Sequence, residues 1–253
     1  MGVLFLDRMT WPDIAEQIKN GRDTVVVPFG STEQHGRHLP LGTDSVIGDE
    51  LGRGLAERLN AFLAPTVRLG CSGHHLAFAG TISLAEETFR NVVRDVVGSL
   101  CRHGFRKIFL LPTHGGNFVP LKQALDQMGL VEGVRIIGFT DLEGLLATAF
   151  RGSAKFGVSP VKSGAHSGEW ETSVMLHLRR KEVKMERAAE GWLGSVSEVM
   201  TRFTSGLEKM DPNGVLGDPR MGKAEAGKVY VEDMVEYVYQ WFQDQESSKP
   251  NSN

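Results

Sequence analysis

Thr24-Val25-Val26-Val27-Pro28-Phe29-Gly30-Ser31-Thr32-Glu33-Gln34-His35-Gly36-Arg37-His38-Leu39-Pro40-Leu41-Gly42-Thr43-Asp44 is the stretch around which the chain is organised. Its opening, Val25–Phe29, is short and almost wholly apolar, the mark of a strand buried on both faces. A polar loop follows, and an amphipathic pattern starts near Val46. Glu33 and His35 are two apart, so an extended segment would place their side chains on one side. Asp44 sits close to a helix start, where its carboxylate can take backbone N–H groups or a metal. On this stretch alone two readings stand together. One is part of a metal site; the other is a polar loop with an N-cap aspartate.

Reading outward, Met9–Ile14 marks a first helix, with Thr10 as cap and Pro12 in the first turn. Val46, Ile47, Leu51, Leu55 and Leu59 recur at helical spacing up to Asn60. Pro65–Leu69 is a second strand candidate and runs into the polar loop Gly70-Cys71-Ser72-Gly73-His74-His75. Ser83-Leu84-Ala85-Glu86 has a capping-box pattern, and its helix would bury Phe89, Val93, Val96, Val97 and Leu100 before Gly104 stops it. Lys107–Leu111 is a third strand, followed at once by Pro112-Thr113-His114-Gly115-Gly116-Asn117. A helix over Val119–Gln127, a fourth strand at Arg135–Phe139 and a helix over Leu142–Phe150 follow. This alternation predicts a parallel sheet with helices on both faces. Beyond it come a loop to Gly168, a helix at Glu169–Leu178, a turn-rich region at Trp192–Met221 and a closing helix over Ala224–Phe242. Residues 1–244 read as one α/β domain, and 245–253 as a polar, disordered tail.

The 253 residues carry a formal net charge of −3, with Lys and Arg scattered among acids, so no nucleic-acid partner is expected. No apolar run reaches membrane-spanning length, and the N-terminus is too soon charged for a signal peptide. Cys71 and Cys101 have no metal or redox spacing, and a reducing cytoplasm is the simplest setting. No Gly-x-Gly-x-x-Gly follows a strand and no P-loop is present, so a nucleotide cofactor is not expected. Ser31 and Ser72 lack a nucleophile-elbow setting.

Open parallel sheets form their sites at the carboxyl ends of the strands. The loops there carry Glu33, His35 and Asp44, then Ser72, His74 and His75, then His114. A fourth polar loop adds His166 and Glu169, with Glu171 just beyond, whereas His103 and His177 fall in predicted helices and read as structural. His114 alone would read as an ordinary loop histidine, but the clustering turns the balance to a metal site.

The segment Gly30-Ser31-Thr32-Glu33-Gln34-His35-Gly36 through His38-Leu39-Pro40-Leu41 to Thr43-Asp44 resembles the first signature of the creatininase (creatinine amidohydrolase) family. Phe78–Leu84, His114–Asn117, His166–Ser173 and Gly214–Pro219 resemble its later blocks, in the family's order and over most of the chain. The resemblance implies a three-layer α/β/α fold with a mostly parallel sheet and a dinuclear metal centre. Carried over, Glu33 and His114 resemble ligands of one metal, His35 a ligand of the other, and Asp44 the bridging carboxylate. His166 matches a histidine assigned to proton transfer, and Ser72 lies near a position used for substrate contact. Creatininase has a further glutamate two residues after the third-block histidine. Here that position is Gly116, so Glu171, or failing that Glu169, is expected to complete the second metal. Arg37, where many members have proline, and Pro112-Thr113, where Asn-Gly is usual, also depart from the pattern.

The expected activity is hydrolysis of a C–N bond, in a cyclic amide or formamide of a small polar molecule, by a hydroxide held between two divalent ions (zinc, manganese or iron). Glu171 and His166 would serve the chemistry, and Ser72, His75 and Trp170 would contact substrate. Family members cleaving a C–C bond in a keto-inositol supply one rival reading. A non-catalytic metal- or ligand-binding protein supplies another. Family rings imply a homo-oligomer, possibly a hexamer, with Trp192, Leu193, Val196, Val199, Met200, Phe203 and Leu207 either at a subunit contact or packed within the chain.

Overall fold

A computed structural model describes residues 2–202 and 206–247. Its centre is a parallel five-stranded sheet in the order β1-β3-β2-β4-β5, with β1 at Leu4–Phe5, β2 at Thr24–Phe29, β3 at Phe62–Leu63, β4 at Lys107–Pro112 and β5 at Arg135–Gly138. β2 and β4 pair along their whole length, from Thr24 beside Lys107 to Phe29 beside Pro112. Side chains alternate across the sheet. Val26, Phe109 and Leu111 therefore face α2 (Thr43–Leu59), α5 (Leu142–Ala154), α7 (Glu169–Leu178) and α9 (Ala224–Ser247). Val25, Val27, Phe29, Ile108 and Leu110 face α1 (Trp11–Lys19), α3 (Glu86–Arg102) and α4 (Phe118–Met128). The result is the three-layer α/β/α architecture that the alternation of elements predicts. Among the described residues, no helix is long and apolar enough to cross a membrane.

Three local expectations change. The second strand is Phe62–Leu63, not Pro65–Leu69, and Val67 keeps only a single bridge to Phe29. Asn60 ends α2 in the left-handed conformation (φ 52°) and turns the chain straight into the sheet, while Pro65 has no N–H with which to extend the ladder. The edge strand β1 is two residues long and has no periodicity to announce it. Ser83 does not cap α3; its Oγ instead accepts from the Ser72 N–H at 2.9 Å, which ties down the His74–His75 loop.

The start of α2 matters most for function. The helix begins at Thr43 with Gly42 as cap, so Asp44 lies inside the first turn and is not an N-cap. Its approach to β2 is close: a Cβ on Gly52 would lie 2.6 Å from Pro28 Cγ, and one on Gly30 would lie 2.7 Å from Ser45 Cα. Only hydrogen at these positions lets Asp44 sit directly above the end of β2.

The closing helix runs on to Ser247, past the expected end of the domain, and residues 248–253 lie outside those described. Before the turn-rich region, α6 (Pro160–Ser163) leads to α7, and α8 (Val196–Arg202) lies within that region. Val199, Leu207 and Leu216 are buried together against Phe78, Ala165, Trp192 and Met210 of the same chain. Leu193 is exposed, and Phe203 lies outside the described residues.

Phe109 is buried in the sheet and meets Phe242 of α9 edge-on at 4.6 Å. Phe109→Ala should cost about 3–5 kcal/mol of stability, read as a shift of the urea unfolding midpoint.

Candidate metal centre

All four loops at the carboxyl edge of the sheet converge on one buried acidic cluster. Glu33, His35, Asp44, His114 and Glu171 are each at most 4% exposed. Asp44 is shared between two sides. Its Oδ1 is 3.2 Å from His35 Nε2, and its Oδ2 is 3.2 Å from His114 Nδ1 and accepts from Ser31 Oγ at 2.6 Å. His114 Nδ1 is also 3.2 Å from Glu33 Oε2. On the other side, His35 Nε2 is 3.8 Å from Glu171 Oε1. The remaining Glu171 oxygen accepts the N–H of Ser167.

The histidines are oriented from behind. His35 Nδ1 donates to the Glu33 carbonyl (3.2 Å), His114 Nε2 to the Cys71 carbonyl (3.1 Å), and His166 Nε2 to the Gln34 carbonyl (2.9 Å). A ring N–H held by a main-chain carbonyl turns the other nitrogen toward the acids, as in metal-ligating histidines. Neither oxygen of the buried Glu33 carboxylate has a hydrogen bond of good geometry. A buried ionised carboxylate without one is costly unless a cation serves it. The donor set therefore fits metal ions. Among the described residues, three groups bring their ligand atoms close enough to hold one: Glu33, His35 and Asp44; His35, His166 and Glu171; and Glu33, His75 and His166.

Glu169, the weaker candidate for the second metal, points elsewhere. Its carboxylate accepts from Ser153 (2.8 Å), Ser173 (2.6 Å) and Tyr230 (3.0 Å) in a buried cluster behind α7. Ser72 is fully buried behind His114, with its Oγ 3.5 Å from Nε2, and does not line the cleft. His75 and Trp170 do line it. His38 is turned away and donates to Thr172 Oγ1 at 2.9 Å. Gly116 is filled from outside: a Cβ there would meet Cys71 O at 2.2 Å and His114 Nε2 at 2.5 Å. No glutamate can be restored at that position without moving both neighbours.

Two supporting residues had no chemical signature in the sequence. Gln34 alternates with Glu33 and His35 and so faces the other way. Its Oε1 accepts from Gly36 N (2.8 Å), and its Nε2 donates to Gly214 O (3.1 Å) and His75 Nδ1 (2.9 Å). His75 therefore carries its proton on Nε2, 3.2 Å from Glu33 Oε1. Asn117 donates to Gly30 O (2.9 Å) and accepts from Cys71 N (3.0 Å), joining the loops after β2, β3 and β4. Period-two alternation with Glu33 and His35 is the one signal that could have singled out Gln34, and the glycines beside it the one for Asn117.

A model of the creatininase family, described as creatinine amidohydrolase, matches residues 7–242. The chain belongs to the creatininase family. It is 33% identical over 241 residues to a mycofactocin precursor peptide peptidase of Mycobacterium ulcerans (strain Agy99), covering 90% of this chain and 89% of the relative. Creatinine amidohydrolase of Pseudomonas putida is 26% identical over 204 residues, covering 74% of this chain and 76% of that protein. A solved structure described as "Creatininase Mn" superposes with a TM-score of 0.80 at 21% identity, covering 97% of this chain and all of that one. This creatininase-family hydrolase thus has the family's fold, and the cluster lies where its loops converge.

The electrostatics follow from packing acids and imidazoles without water. Burial would lower the pKa of His35 and His114. Asp44 with Glu171, and Glu33 with Asp44, more than reverse this and hold both rings well above 6.5. Burial would raise Asp44, but the positive charge of His35, then His114, keeps it well below the usual carboxylate range. His166 is held well below 6.5 by burial and by His35, so it stays neutral. At neutral pH the metal-free protein therefore carries protons on His35 and His114 that a metal must displace. Metal uptake should release protons, and affinity should rise as pH increases through neutrality. Calorimetry in buffers of different ionisation enthalpy counts the protons; uptake with none released would contradict this charge assignment.

Proposed function

We propose that this chain hydrolyses an amide C–N bond with two divalent metal ions. The observation carrying the proposal is the divided geometry of Asp44, whose two oxygens address two different histidines. Glu33, His114 and Asp44 would hold one ion, and His35, Asp44 and Glu171 the other. Zinc, manganese and iron all suit such mixed carboxylate and imidazole ligands. When bound, the ions would lower the pKa of water toward ~7 and polarise the substrate carbonyl.

The chain's own groups supply the rest. His166 is neutral, with its Nδ1 lone pair facing the acids, 3.8 Å from Glu33 Oε1. It takes the proton from the attacking water and delivers it to the leaving nitrogen as the C–N bond breaks. The products are a carboxylic acid and an amine. His75, with its proton on Nε2, lies 3.2 Å from Glu33 Oε1 and reaches the cleft.

A cyclic amide or formamide is the first substrate reading. A peptide amide is the second, favoured by the similarity to a mycofactocin precursor peptide peptidase. A 3-dehydro-scyllo-inosose hydrolase of Thermotoga maritima, 25% identical over 261 residues and covering 95% of this chain and 83% of that protein, keeps C–C cleavage as the rival. Product analysis separates them, because only amide cleavage releases an amine. A cytoplasmic setting, suggested by the unpaired Cys71 and Cys101, and a homo-oligomer, possibly a hexamer, belong to the same proposal. The assembly reading rests on the family resemblance and on the turn-rich region, where Leu193 is exposed while Val199 and Leu207 pack within the chain.

Purified protein should hold two metal ions per chain, and Asp44→Ala should lose both; retention of both in elemental analysis would sink the bridging role. His166→Ala should keep its metals while kcat falls by ~100- to 10,000-fold; loss of metal would make His166 a ligand. Light scattering should give a mass several times that of the chain, and a clean monomer would remove the assembly.

A further inference from the structure

The cleft over the acidic cluster has two unlike ends. One is the set of acids and imidazoles described above. The other is walled by Leu142, Leu145 and Leu146 of α5, Phe118 of α4, Met234 of α9 and Leu207. Leu142, Leu145 and Leu146 lie at i, i+3 and i+4, so they form one strip on the helix. That strip is held rigidly at its start. Asp141 caps α5 by accepting from Gly144 N at 2.8 Å, and Tyr237 of α9 donates to the other Asp141 oxygen.

Outside the acids and imidazoles, this lining offers a substrate no uncommitted polar side chain among the described residues. Thr113 Oγ1 is spent on the Asp44 carbonyl at 2.8 Å, and Trp170 Nε1 on the Gly164 carbonyl at 3.0 Å. The lining contains no lysine or arginine among the described residues, so no fixed cation waits for a phosphate or a distal carboxylate. The whole cleft, its acidic end included, measures about 130 Å³, which sets an upper limit on the group the apolar end can take. An apolar cavity of ~150 Å³ accepts one benzene molecule.

We propose that this wall receives a compact apolar group, no larger than a phenyl ring, carried by the substrate beside the amide that is cut. The substrate class is then an acyl or peptidyl amide with an aliphatic or aromatic side chain, in place of a wholly polar ring or a polyol. A polyol would bury hydroxyls against leucine and phenylalanine with nothing to bond them. The inference rests on the metal-dependent reading above, because the metals would anchor the polar end.

The test uses two metal-binding probes that differ only at the tail. Acetohydroxamate and phenylacetohydroxamate are titrated calorimetrically into the manganese-loaded protein. Phenylacetohydroxamate should bind at least ~10-fold more tightly, the scale on which an apolar pocket rewards added carbon. Leu146→Asn, at a half-buried position, should abolish the difference, with Leu142→Asn as the second variant if the first does not fold. Equal affinity of the two probes for the wild-type protein would overturn the apolar pocket and leave the metal reading intact. Persistence of the difference in a folded variant would also overturn it. Failure of both probes to bind would overturn the metal reading, and the pocket with it.

Discussion

Three buried carboxylates, Glu33, Asp44 and Glu171, are crowded into one water-poor space, and the surrounding structure is organised to make that tolerable. Like charges at such separations cannot all stay ionised without cations between them. In the protein alone the cations are His35 and His114, both held protonated by the acids they face. Metal ions would take over the same office with more charge at each point. Glu33 makes the need plain, since its two oxygens are buried with no well-formed hydrogen bond.

The acids can be crowded because their surroundings are rigid. Gly30 and Gly52 bring α2 down onto β2, so Asp44 is delivered by a helix and not by a loose loop. Asn117 pins the loops of three adjacent strands to one another, and Thr113 binds the Asp44 main chain. Main-chain carbonyls then decide which nitrogen of each histidine faces inward. Departures of an ångström in any of these supports would disturb both histidines together, because Asp44 faces His35 with one oxygen and His114 with the other.

Gly116 marks where this chain departs from creatininase. The position that holds a glutamate in creatininase is occupied here by the Cys71 carbonyl and the His114 ring, which press against the glycine. In the centre proposed above the carboxylate would come instead from α7, where Glu171 turns toward His35 while Glu169, two residues earlier, turns into a separate cluster of hydroxyls.

Much of this was legible in the chain. The apolar runs at Val25–Phe29 and Lys107–Leu111 announced buried parallel strands, because a strand covered on both faces has no polar side. Glu33, His35, Asp44 and His114 stood out because acids and imidazoles directly after such strands must lie at the sheet's carboxyl edge. Local pattern failed where partners were distant. Phe62–Leu63 was too short to read, and Ser83 found Ser72 in place of a helix end. The choice between Glu169 and Glu171 depended on Ser153 and Tyr230, residues that only packing brings beside α7. The role of Gln34 needed Gly214, and the apolar wall needed α4, α5 and α9 to meet over one strand edge. The sequence by itself determined the sheet, its layers and the types of ligand, since these follow from periodicity and side-chain chemistry. The tertiary structure alone decided which nitrogen, which oxygen and which wall face the cleft, since those are set by contacts between residues far apart in the chain.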